Sequence, residues 1–213
     1  MVKITLIRFS GAKACIELEN GNVYWLTRKD LSGSSLKENT EMNDDDFMRT
    51  IRCFQYPRAL DQAVAMLARR ACSKKEIENR LILNRYDTDV IELVLYKLEK
   101  EKLIDDKAFC IQWIHYRTGQ KYGPARIRRE LVQKGIDKTI ISEYLDAQST
   151  DIYEDHLLQL ALKAWKHYGS GEDIYKTRQK VTASLVRKGY SWDLAKKACS
   201  RAEKELKGNC TIR

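Results

Sequence analysis

The stretch LIDDKAFCIQWIHYRTGQKYGPARIRRELVQKGI, residues 103–136, decides the reading of the fold. Phe109, Cys110, Trp113 and Ile114 recur at helical spacing, and Ile127 and Leu131 do the same further on, so each half lays an apolar stripe along one helix face. Gly123-Pro124 separates the halves, and proline suits the first position of a helix because its fixed φ and missing N–H cost nothing there. Lys134-Gly135-Ile136 closes the segment, glycine accepting the left-handed conformation that ends a helix.

The same pattern returns on either side. Val90, Ile91, Val94 and Leu95 are matched by Ile140, Ile141, Tyr144 and Leu145 at a shift of 50 residues, and then by Leu194, Ala195, Ala198 and Cys199 at a further shift of 54. Leu81, Leu131 and Leu185 obey the same two shifts, and QKGI (133–136) and RKGY (187–190) fall at equivalent turns. The first copy has Asn84-Arg85-Tyr86 there, where asparagine is expected to act as the cap. A leading helix precedes each pair: Leu60, Ala63, Val64 and Leu67 in the first copy, the Phe109 stripe in the second, and Leu157, Leu160, Ala161, Ala164 and Trp165 in the third. The expectation is a mainly α protein of three tandem three-helix repeats, residues 51–104, 105–150 and 151–213, in an elongated curved array.

Residues 1–50 read differently. Val2 to Phe9, Ala14 to Glu19 and Val23 to Thr27 have strand character, and Asn20-Gly21 is a hairpin signal for a turn whose two central residues take positive φ. From Asp30 to Asp46 the apolar density falls, so a connecting region with a short helix near Phe47 is expected. Pro57 and Pro124 are each expected to precede a helix rather than to lie inside one.

Of the 213 residues, 32% are charged and the formal net charge is +9, carried by the repeats rather than by residues 1–50. Such a balance favours acidic partners such as nucleic acid or a nucleoprotein polymer. Every apolar run is interrupted by charge well short of the roughly 20 residues that span a bilayer, so no membrane association is expected. Six cysteines without a C-x-x-C pair, and no export leader, point to reduced thiols in a cytoplasm.

LARRACSKKEIENRL (67–81), the 103–136 stretch and SLVRKGYSWDLAKKA (184–198) together resemble the RecX family, bacterial regulators of the RecA recombinase. The family pattern of Arg-x-x-Ser-x-x-Glu-Leu is met by Arg70, Ser73 and Glu76, with Ile77 in place of leucine. Asp105-Asp106 with Phe109, then Gly123-Pro124-x-Arg126-Ile127, Glu130-Leu131 and Lys134-Gly135-Ile136, match the middle unit. Departures are the absent glycine of the first unit and a weak opening of the third, where Gly169-Ser170-Gly171 interrupts the usual spacing. The resemblance implies a monomeric, non-catalytic, cytoplasmic protein that binds the RecA filament and inhibits its ATPase, strand-exchange and coprotease activities. It leaves weak binding to single- or double-stranded DNA open, and a stand-alone DNA-binding helical module is the alternative.

The residues expected to meet the RecA filament or DNA are Arg69, Arg70, Tyr116, Arg117, Arg126, Arg128, Arg129, Lys134, Lys176 and Lys180. Advancing 100° per residue puts Arg126 and Arg129 about 60° apart, away from the Ile127 and Leu131 face. Arg128 falls near the apolar edge, its stem over the core and its guanidinium within reach of solvent or a carboxylate. Tyr116 beside Arg117 is a candidate stacking group, while Phe109 and Trp113 read as core. Asp105-Asp106 reads as a helix cap rather than as acid catalysis. His115, His156 and His167 lack zinc-ligand spacing, and no Gly-Lys-Ser/Thr loop exists, so neither a metal nor a nucleotide cofactor is expected.

Overall fold

The computed structural model describes residues 1–147, 150–169 and 173–209. It divides into two compact units, Met1–Asp105 and Asp106–Arg213.

The first unit opens with strands β1 (Val2–Ser10), β2 (Lys13–Leu18) and β3 (Val23–Thr27), a short helix α1 (Arg28–Ser32) and a two-residue strand β4 (Glu41–Met42). They form an antiparallel sheet in the order β3-β2-β1-β4, with Ile16 opposite Ile7 on one side and Tyr24 on the other. The Asn20-Gly21 turn differs from the expectation. Only Gly21 takes positive φ, at 83°, and the loop is closed by Gly21 N–H to Leu18 O and Leu18 N–H to Asn22 O. Asn20 instead accepts the Asn22 amide through its side chain, so one left-handed residue suffices and the hairpin is the three-residue kind.

Helix α2 (Asp44–Leu67) replaces the expected short helix and runs straight through Pro57. Its buried residues, Phe47, Ile51, Gln55, Ala59 and Ala63, recur every four positions, a continuous stripe on one face. Phe47 and Ile51 complete the sheet core with Ile4, Ile16, Leu18 and Leu26, whereas Ala59 and Ala63 belong to the core of the first repeat. An interior proline costs a helix roughly 3 kcal/mol. Burying Phe47 and Ile51 alone returns about 1.5–3 kcal/mol each, which is why the helix is not broken there. Val64, expected to face inward, is 43% exposed because the buried stripe passes through Ala59 and Ala63. Gln55 ties the two halves: its amide donates to Trp25 O at 2.8 Å and its carbonyl accepts the Asp87 N–H at 2.7 Å.

Helices α3 (Lys74–Leu83) and α4 (Thr88–Lys100) complete the first repeat around Ile77, Leu81, Val90, Val94 and Leu98. The second unit contains α5 (Asp106–Gly119), α6 (Pro124–Gln133) and α7 (Lys138–Leu145), then α8 (Thr150–Tyr168), α9 (Ile174–Arg187) and α10 (Trp192–Asn209). Pro124 opens α6 as expected. Ser170 and Gly171 lie outside the described residues; α9 starts beyond them with Asp173 as its cap.

The three repeats share a hinge of one design. Leu81, Leu131 and Leu185 are all at most 1% exposed, and their carbonyls accept the N–H of Tyr86, Ile136 and Tyr190. One residue before each of those amides stands a left-handed residue: Gly135 at φ 79°, Gly189 at 99° and, in the first copy, Arg85 at 65°. Asn84 is the C-cap of α3 as expected, but it is not the left-handed residue. Asn84 keeps φ −86° and Arg85 carries the left-handed turn, at a cost of roughly 1–2 kcal/mol that glycine avoids.

Candidate partner-binding surface

Within the second unit, the side of α5 that meets α6 converges on one carboxylate. Glu130 accepts the Trp113 indole N–H at 3.2 Å, the Arg117 Nε–H at 2.6 Å and the Arg126 Nε–H at 3.0 Å, with a further bond from the Arg117 terminal nitrogen. Burial pushes the Glu130 carboxyl up, but the hydrogen bonds from Arg117 and Arg126 outweigh it and leave its pKa below the ordinary range. Arg126 and Glu130 are one helical turn apart, spacing at which opposite charges meet.

Tyr122 gathers the remaining charge. The guanidinium carbons of Arg117 and Arg126 each lie 4.1 Å from its ring centre, and Lys188 Nζ lies at 4.5 Å. Lys134 sits 4.2 Å over the Trp113 ring and 5.5 Å from that of Phe109. Such cation–ring contacts each add about 0.5–1 kcal/mol at exposed positions.

This arrangement sorts the expected contact residues. Arg117 is only 14% exposed and is committed to Glu130, so it supports the surface instead of presenting itself. Arg126 (38% exposed) and Lys134 are shared between internal contacts and solvent. Arg128 reaches Ser142 at 3.0 Å and Asp146 at 2.6 Å, the carboxylate partner its position suggested. Arg129 is exposed and has no ion pair or side-chain hydrogen bond among the described residues. Tyr116 is 58% exposed, its ring 6.0 Å from that of Trp113. Trp113, expected in the core, packs against it but is only half-buried, with Lys134 and Arg117 lying over its ring.

The other candidates stand apart from this cluster in the chain. Arg70 makes two bonds of 3.1 Å to Glu76, whose carboxylate also accepts the Ser73 N–H in a capping box that opens α3. The Arg-x-x-Ser-x-x-Glu spacing is thus a helix-start device, and Arg70 belongs to it. Arg69 next to it is exposed. On α9, Lys176 pairs with Asp173 at 3.5 Å and Lys180 is exposed.

The second and third repeats meet through backbone. Gly123 N–H donates to Lys188 O at 2.9 Å, Ala125 N–H to Gly189 O at 3.1 Å, and the Tyr190 hydroxyl donates to Lys121 O at 3.3 Å. A β-carbon on Gly123 would fall 2.4 Å from Gly189 O. Lys188 thereby comes over Tyr122, a neighbour from the next repeat that sequence spacing gives no means of finding. Among the described residues no group of three or more His, Cys, Asp or Glu is placed to hold a metal, and no helix is long and apolar enough to cross a membrane. Cys15, Cys53, Cys72, Cys110 and Cys199 are free thiols, and Cys210 lies outside the described residues.

Comparison with known proteins assigns every repeat. Residues 59–98, 105–145 and 151–199 match the first, second and third three-helix domains of RecX. A regulatory protein RecX of Legionella pneumophila (strain Corby) is 31% identical over 157 residues, covering 73% of this chain and 99% of that one. The chain belongs to the RecX family. A RecX protein of Finegoldia magna is 25% identical over 189 residues, or 86% of this chain and 91% of the relative. A crystal structure of regulatory protein RecX shares the fold with a TM-score of 0.62 at 23% identity, spanning 91% of this chain and 97% of that one. The RecX structure from Lactobacillus salivarius gives 0.62 over 70% of this chain. The tandem helical repeats and the leading antiparallel sheet are therefore those of a RecX regulator.

Proposed function

We propose that this protein binds the RecA nucleoprotein filament as a monomer in the cytoplasm and inhibits its ATPase, strand-exchange and coprotease activities, without catalysing a reaction itself. The observation that carries the reading is the match of all three repeats to the RecX domains. The exposed cations support it. Arg129, the outer part of Arg126, Arg69 and Lys180 offer positive charge to an acidic filament, while Arg117 and Arg128 hold their helices in place. Binding that bridges neighbouring RecA protomers hampers the domain motions that ATP turnover requires, and so lowers all three activities together.

The test is DNA-dependent ATP hydrolysis by RecA with and without equimolar protein at physiological salt. A clear fall in turnover is expected. Unchanged turnover refutes the proposal.

A further inference from the structure

The outward side of α10 carries Lys196, Lys197, Ser200, Arg201 and Lys204, all exposed and lining one continuous surface. At 100° per residue they cover about 140° of the helix, opposite the buried Ala195, Ala198 and Ala202. None of the four cations has a carboxylate within ion-pair distance among the described residues. Of the acidic groups on the helix, Glu203 is turned inward and held by Arg178 at 2.7 Å and Lys207 at 2.8 Å, Glu205 stands at the edge of the stripe, and Asp193 lines the same surface one turn ahead of Lys196 and Lys197, so the face sets four cations against one carboxylate. This contrasts with Arg58, Arg70, Arg117 and Arg128, whose charges are all answered by a carboxylate.

We infer that this face of α10 is a docking surface for the phosphodiester backbone of double-stranded DNA, read without regard to sequence and without help from RecA. The cations extend over about eight residues, about 12 Å of helix, a length of duplex that carries about seven phosphates. Three of the four are lysines, which are depleted from the cores of protein interfaces but suit phosphate as point charges. The exposed aromatic on the helix, Trp192 at its first residue, is a single ring a full turn ahead of Lys196. Proteins that follow a single strand use successive rings for base stacking, and α10 lacks that series among its described residues.

The experiment is fluorescence anisotropy of the full chain titrated into a labelled duplex of arbitrary sequence over a range of salt, comparing the unaltered protein with Lys197→Gln/Arg201→Gln/Lys204→Gln. The triple change is expected to weaken binding at least about tenfold and to flatten the slope of log K against log salt by about 2–3, or about 0.9 for each phosphate that is no longer neutralised. Lys29→Gln/Lys37→Gln, two exposed lysines in the leading segment, is expected to leave both quantities unchanged. An unaltered slope and affinity in the triple variant overturns the inference, and so does displacement of the duplex by an equal concentration of a single strand of the same length. Circular dichroism checks that the variant is folded; if it is not, Lys204→Gln alone is expected to lower the slope by about 0.9. The outcome is independent of the RecA ATPase assay, so either proposal can fail without the other.

Discussion

Replacing Gly123 by alanine tests how the second and third repeats are joined. The backbone there, at φ −81°, accepts any residue, so the penalty is purely one of space. The added carbon meets Gly189 O at 2.4 Å, Gly189 C at 2.5 Å and Tyr190 N at 2.7 Å, all main-chain atoms of the α9–α10 turn. That turn is held by the Gly189 and Tyr190 amides bonding back to Val186 and Leu185, so it cannot swing aside as a side chain can. The repeats must part, and the bonds from Gly123, Ala125 and Tyr190 are stretched or broken. At about 0.5–1.5 kcal/mol for each hydrogen bond, the expected destabilisation is about 2–4 kcal/mol. Urea unfolding measures it, and hydrogen exchange at Gly189 and Tyr190 locates it. Gly119→Ala is the control: nothing lies within 4 Å of its added carbon, and a helix gains roughly 0.5–1 kcal/mol from alanine. Should Gly123→Ala unfold within about 0.5 kcal/mol of the unaltered chain, the backbone junction does not hold the repeats as described.

Glu130→Ala leaves the nearly buried Arg117 without its carboxylate and is expected to cost about 2–4 kcal/mol, seen as a lower denaturation midpoint and a change in Trp113 fluorescence. Arg129→Glu removes an exposed cation with no partner, so stability is expected to stay within about 0.5 kcal/mol while inhibition of RecA ATPase falls; retained inhibition excludes this face from the contact. The Glu203 carboxyl is held down to about 2, chiefly by its hydrogen bond from Arg178, with burial opposing. Because its folded pKa is depressed, the stability it contributes is present above its ordinary value near 4.5 and is lost as pH falls from there towards about 2. Urea midpoints measured across that window are expected to drop, with Glu203→Gln flattening the dependence. In the first repeat, Arg85→Gly relieves a left-handed arginine and is expected to lose no stability, whereas Gly135→Arg at the matching turn costs about 1–2 kcal/mol by the same assay.

The helices and their repetition were legible in the chain because the signals are local. An apolar residue every three or four positions, a glycine at the turn and a proline at the first helical position act on neighbours within one or two turns, and Leu81, Leu131 and Leu185 are buried where their spacing put them. The candidate cations were legible as residue types on a helix face, and Arg128 found the kind of partner its place suggested. What spacing did not reveal is which cation is already paired. Arg117 and Arg70 look no different in sequence from Arg129, yet each meets a glutamate that folding brings beside it. The stripe on α10 stands out only once Glu203 is seen to turn inward to Arg178.

Sequence by itself determined the element types, the threefold repetition and the excess of positive charge, since these depend on interactions within a few residues and on composition. Tertiary structure decided the rest: that α2 runs through Pro57 because cores on both sides of it reward continuity, that Arg85 bears the strain of a missing glycine, and that Gly123 and Gly189 must be bare for two backbones to touch. The continuity of α2 and the Gly123–Gly189 junction turn on groups dozens of residues apart in the chain, and distance along the chain carries no record of which will be neighbours once the apolar faces are buried.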